Sequence, residues 1–134
     1  MILSVYCPNG RVGKTTTALA CAKEAQSVHG INTCVLEFDF SPGDSPSILG
    51  LDSAKNILDA ADEHFDIAIQ KPQSEDFDVI VGGYPDYPEQ LKSEDVLRTI
   101  DYLENQYDLV IIDIQPNFIE QVIDIFEISD KIML

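Results

Sequence analysis

Residues 7–18 read CPNGRVGKTTTA, and whether this stretch is a phosphate-binding loop decides the fold of everything around it. Before it, residues 2–6 (ILSVY) are a short apolar run of β type. After it, from Thr15 to His29, the apolar residues Ala18, Leu19, Ala22, Ala25 and Val28 recur at three- and four-residue steps, which predicts a helix. Gly30 supplies the helix stop. A strand, a glycine loop and then a helix is the setting a phosphate loop requires, because the loop amides and the helix N-terminus point at the anion. Gly13 lets the backbone turn without a Cβ clash, Lys14 supplies a mobile cation and Thr15 offers a hydroxyl to Mg²⁺. The general pattern GxxxxGK[ST] asks for glycine where Pro8 stands, so the strict motif fails. The competing reading is a surface turn with an exposed lysine.

Working outward, residues 33–38 (TCVLEF) form a second predicted strand that ends at Asp39, followed by turn chemistry in DFSPGDSPS. A short helix is expected between Ser53 and Glu63. Residues 66–70 (DIAIQ) and 77–81 (FDVIV) read as strands. GGYPDYP is a loop, and Glu89 to Asn105 is an amphipathic helix through Leu91, Val96, Leu97, Ile100 and Leu103. Residues 108–112 (DLVII) are the most apolar strand and lead into Asp113; Phe118 to Ile128 reads as a helix, and Lys131 to Leu134 opens another strand. Strands alternating with helices predict an α/β fold, a mostly parallel sheet with helices on both faces. A chain of 134 residues is expected to be one domain, residues 1–134. Because its last residue falls inside a strand signal, the domain is expected to be truncated at its C-terminus.

Composition narrows the function. With 8 basic against 24 acidic residues the formal charge is −16, a surface that repels phosphate backbones and argues against direct nucleic-acid or anionic-membrane binding by this segment. The three cysteines, Cys7, Cys21 and Cys34, show no CxxC spacing and are expected to be buried reduced thiols, which points to a cytoplasmic protein. No basic start opens the chain, and no apolar run approaches the length of a membrane span.

Asp39 and Asp113 each follow a hydrophobic strand, at the sheet edge where open parallel sheets bind ligands. Two carboxylates there, beside a lysine and a threonine hydroxyl, make a hard oxygen site suited to Mg²⁺. The alternative is that both aspartates cap helices or turns.

PNGRVGKTT resembles the deviant Walker A loop of the ParA/MinD ATPases, where KGGVGKTT is typical. The likeness runs over nearly the whole chain. INTCVLEFDFSPGDS is similar to that family's second strand and switch I aspartate, and YDLVIIDIQPN to its Walker B segment, usually YDxVIIDxPPG. FDVIVGGYPDYPEQLKSEDVLRTIDYLENQYD is most like the TadZ/CpaE branch, which places pilus-secretion machinery at cell poles. The resemblance implies a P-loop NTPase fold of SIMIBI type. It implies that Gly10, Arg11, Val12, Gly13, Lys14, Thr15 and Thr16 wrap the phosphates, with Asn9 at the position of the family's signature lysine. Thr15 would ligate Mg²⁺ directly, and Asp39 and Asp113 would hold it through its water shell. A family member uses ATP, dimerises around it, hydrolyses it slowly to ADP and is read by a protein partner.

The departures fall on hydrolysis. The family's signature lysine reaches the partner subunit's nucleotide, and a neutral amide at Asn9 removes that cation. Arg11 replaces a glycine and restricts the loop. Ser41 stands where the family often carries a second acid that positions the attacking water; Asp44, on the same turn, is the candidate substitute. Gln115 and Asn117 replace a proline and a glycine after the Walker B strand. Lys14, Asp39 and Asp44 are thus the candidate catalytic residues. Losing one preorganised transition-state contact costs about 3–4 kcal/mol, a hundredfold or more in rate. Binding is therefore expected to outlast catalysis. Three readings result: an ATP–Mg²⁺ switch for positioning or assembly with weak or absent hydrolysis, a nucleotide-free interaction module on the same fold, or a small-molecule ligase or kinase of the same superfamily.

Overall fold

The computed structural model describes residues 1–6, 14–38, 49–82, 91–114 and 120–133, with the backbone alone at 14–16 and 120. In chain order the elements are β1 (Ile2–Tyr6), α1 (Lys14–Lys23), β2 (Thr33–Phe38), α2 (Ile57–Ala61), α3 (Phe65–Ala68), β3 (Asp78–Ile80), α4 (Ser93–Gln106), β4 (Leu109–Ile114), α5 (Glu120–Ile128) and β5 (Lys131–Met133). Among the described residues the five strands form one sheet, every pairing parallel, in the order β3-β2-β4-β1-β5. Both faces are covered, as the alternation of strands and helices predicts.

The strand period of two sorts the core. Cys34, Leu36 and Phe38 of β2 and Val110, Ile112 and Ile114 of β4 face α2, α3, α4 and α5, meeting Ile57, Ala60, Ala68, Val96, Ile100, Leu103, Val122 and Ile125. Val5, Val35, Val79 and Ile111 face the other way, against Ala18 and Ala22 of α1 and against Phe77. Alanines at the contact let α1 lie close to the sheet. β2 is buried at every position, as a central parallel strand should be, whereas edge strand β5 is exposed at all three. No helix among the described residues is long and apolar enough to cross a membrane.

Helix α1 widens into a π-helical turn at Glu24–Val28 and stops at Gly30, whose φ of +67° allows the Gly30 N–H to reach the Gln26 carbonyl and the Ile31 N–H the Ala25 carbonyl. Cys34 is buried and free, and Cys21 is half-buried on α1 and free; Cys7 lies outside the described residues. At the N-terminal edge of the sheet, Tyr107 donates its hydroxyl to Asp78 at 2.6 Å and Lys71 pairs with Asp78 at 3.2 Å. Burial, then the charge of Asp78, pushes the Cys34 thiol far above its usual range. Burial followed by the hydrogen bond to Asp78 does the same to the Tyr107 phenol. Cys34 is therefore an inert core thiol.

One expected strand is a helix. Residues 66–70 alternate as a strand should, yet Phe65–Ala68 is α3, and only Gln70 makes a β contact, a single antiparallel bridge to Val79. The preceding turn decides this. Helix α2 starts on an Asn56–Asp59 capping box and ends with Glu63 at φ +65°. There the Glu63 N–H bonds the Ala60 carbonyl and the His64 N–H bonds the Asp59 carbonyl, a Schellman closure. The closure turns the chain straight into α3, and Phe65 stacks on Tyr102 of α4 at 3.8 Å. Ile67, which the strand reading would bury, is 43% exposed.

A glutamate in the left-handed region carries strain that glycine lacks. The one ion pair of Glu63, to Arg98 at 3.8 Å, is exposed and contributes little. Glu63→Gly should therefore raise unfolding stability by about 0.5–1 kcal/mol in denaturant titration; a loss of stability would contradict this account of the turn.

Candidate functional site

All five described strands end on the same edge, and Lys14, Thr15 and Thr16 lie there at the start of α1. β1 ends there at Tyr6, and α1 begins with Lys14 and runs back over Val5, Val35 and Ile111 through Ala18 and Ala22. The backbone places Lys14, Thr15 and Thr16 in the first turn of α1. Helices α2, α3 and α4 each carry an acid in the first turn (Asp59, Asp66, and Glu94 with Asp95), the usual complement to the positive end of the helix dipole. Helix α1 carries none. In a chain with three acids for every base, its first turn is the one among these four helices without an acid.

Asp113 lies within β4 rather than beyond its end, since the strand continues to Ile114. The residue is 1% exposed and in register with Val5 on β1 and Glu37 on β2. By strand alternation these three residues share the face that α1 covers. Asp113 is a hard oxygen donor at the C-terminal edge, which suits Mg²⁺. The other expected metal ligands are not both placed: Thr15 is described by its backbone alone, and Asp39 lies outside the described residues, as do Asn9, Gly10, Arg11, Val12, Gly13 and Asp44. Among the described residues no group of three or more metal-ligating side chains gathers.

The structure adds a residue that the motifs do not contain. Glu37 is 2% exposed in the middle of the sheet, and its Oε1 accepts the Gly82 N–H at 3.2 Å. Glu37 and Asp113 are in register on neighbouring strands, which lie roughly 5 Å apart. The signal in the sequence was the acid interrupting TCVLEF, an apolar run that otherwise reads as plain strand.

No family model matches the chain, and no curated protein matches it. Solved structures do. The chimerical protein CapA2B2 superposes with a TM-score of 0.83 at 22% identity over 98% of this chain and 60% of that one. A ParA family ATPase from Chlorobium tepidum gives 0.81 at 17% identity, over 98% and 58%. Cobyrinic acid a,c-diamide synthase from Mycobacterium smegmatis, crystallised with ADP and magnesium, gives 0.78 at 18% identity, over 98% and 57%. The chain thus spans somewhat more than half the length of the structures it matches.

If Asp113 is held for chemistry rather than for packing, removing its charge should not weaken the fold. Asp113→Asn is expected to unfold at the same denaturant concentration as the parent chain or higher, since burying a carboxylate is itself costly. A loss above about 2 kcal/mol would mark the carboxylate as a structural acceptor instead. Among these comparisons the identity is low throughout, so what they establish is the fold: a parallel α/β fold shared with a ParA family ATPase and with a cobyrinic acid a,c-diamide synthase.

Proposed function

We propose that this chain is the nucleotide-binding part of a ParA/MinD-like switch that binds ATP with Mg²⁺ and serves spatial positioning or assembly, with weak or absent hydrolysis. The observation that carries the reading is the pairing of an acid-free N-terminus on α1 with a buried carboxylate, Asp113, at one sheet edge. An anion is favoured at the first and a divalent cation at the second, and Mg·ATP presents both. The synthase with the same fold holds ADP and magnesium in its crystal, which supports the choice of ligand.

In this reading the amides of residues 10–16 and the Lys14 ammonium bind the phosphates. The Thr15 hydroxyl and the carboxylates of Asp39 and Asp113 hold the cation and its water shell. Mg²⁺, when bound, offsets the charge on the phosphate oxygens. Asn9 and Ser41 leave the attacking water and the dimer contact less well supported, so hydrolysis is slow while binding persists. Dimerisation around the nucleotide, a TadZ/CpaE-like role in pilus assembly, a cytoplasmic location and a protein partner that reads the bound state belong to the same proposal. The same fold serves a synthase, so the fold alone does not choose between a switch and a ligase. A ligase would need a second substrate pocket, and no residues of the sequence name one.

Calorimetric titration tests the reading. The chain should bind Mg·ATP, and Lys14→Ala should weaken binding about ten- to a hundredfold by removing a charge-assisted contact. Absence of heat with the parent chain would favour the nucleotide-free interaction module, and turnover only with an added acceptor would favour the ligase.

A further inference from the structure

Glu37 is a buried carboxylate for which packing gives no reason. At this position of β2 a leucine or valine would satisfy a central parallel strand, whereas burying a carboxyl group is costly unless its oxygens are used. One use is visible: Oε1 accepts the Gly82 N–H at 3.2 Å. Gly82 is the residue through which the chain leaves β3, directly after Val81. The Val81 carbonyl in turn accepts the Ile57 N–H of α2 at 2.9 Å, and Val81 bridges Asn56. The exit of β3 is therefore fixed on one side by the start of α2 and on the other by Glu37. Because Glu37 is in register with Asp113, and Asp113 with Val5, the row Glu37, Asp113, Val5 runs across three neighbouring strands at the edge where α1 begins, and Gly82 is tied to it through the Glu37 side chain.

We infer that Glu37 is a positioning residue for the nucleotide–metal site: by holding the Gly82 peptide it fixes the exit of β3 as the flank of that sheet edge, across β2 from Asp113. The inference rests on the proposed Mg·ATP reading and deepens it, since the same edge then has a fixed flank on the β3 side as well as the α1 side. The hydrogen bond, and not the negative charge, is what the site requires of Glu37. Glutamine can supply it with an amide oxygen; leucine cannot.

The experiment compares the parent chain with Glu37→Gln and Glu37→Leu by Mg·ATP calorimetry, thermal melting and amide exchange at Gly82. E37Q should bind within about threefold of the parent, and E37L about tenfold more weakly, the scale of one buried hydrogen bond. E37L also leaves the buried Gly82 N–H without its acceptor and should melt lower, as E37Q should not; a merely structural glutamate would leave the Gly82 amide of the parent indifferent to Mg·ATP. The Gly82 amide should be protected in the parent and in E37Q and exchange faster in E37L. In the parent alone, added Mg·ATP should slow that exchange further, so the inference stays testable if E37L does not fold. Equal binding by E37L, equal loss in E37Q, or a Gly82 amide indifferent to Mg·ATP overturns the inference and leaves the nucleotide reading intact. Failure of the parent chain to bind Mg·ATP overturns the nucleotide reading, and the inference with it.

Discussion

The parallel register of β1, β4 and β2 is the constraint on which the rest depends. Val5 is aligned with Asp113 and Asp113 with Glu37, so three residues distant in the chain lie in one row on one face. An antiparallel sheet would have sent alternate strand ends to opposite edges. In a parallel one, every loop that follows a strand starts from the same edge, and the helix after β1 brings its N-terminus back to it. The apolar residues below the row, Val35, Ile111 and Ala18 among them, hold the register because slipping by one residue would bury the wrong face of each strand.

Charge is distributed accordingly. The chain is acidic throughout, with helices α2, α3 and α4 opening on acids that complement their own dipoles. Helix α1 departs from that pattern with Lys14, Thr15 and Thr16. The sheet interior departs as well, since Glu37 and Asp113 are buried acids in register on neighbouring strands. Both departures disfavour the isolated fold and both occur at one edge, as expected when a site rather than stability decides the residue. At the opposite edge another strand acid, Asp78, accepts from Tyr107 and pairs with Lys71.

Much of the fold was legible because its signals are local. ILSVY and DLVII are apolar runs bounded by turn residues, and the three- and four-residue steps through Ala18, Ala22 and Ala25 mark α1 down to its stop at Gly30. Asp113 was legible from its place after an apolar run, although β4 encloses it rather than ending before it. Segment 66–70 was not, since its alternation is real but the Schellman turn at Glu63 and the stacking of Phe65 on Tyr102 override it, and both depend on residues outside the five read as strand. Glu37 was not legible as a site residue either. Its meaning comes from Gly82 and Asp113, its neighbours on β3 and β4, and strand pairing is long-range information that no local pattern carries.

The central claim, that this one edge receives a metal-bound triphosphate, is tested most directly by paramagnetic broadening. Mn²⁺ replaces Mg²⁺ in a complex with ATP, and the amide resonances of the chain are followed by heteronuclear NMR at substoichiometric metal. The account predicts that the amides of Tyr6, Lys14, Thr15, Asp113 and Ile114 broaden first, while those of Lys71, Asp78 and Tyr107 at the opposite edge persist. Broadening that instead tracks the exposed acids Asp101 and Glu104, with Asp113 and the start of α1 unaffected, would contradict it.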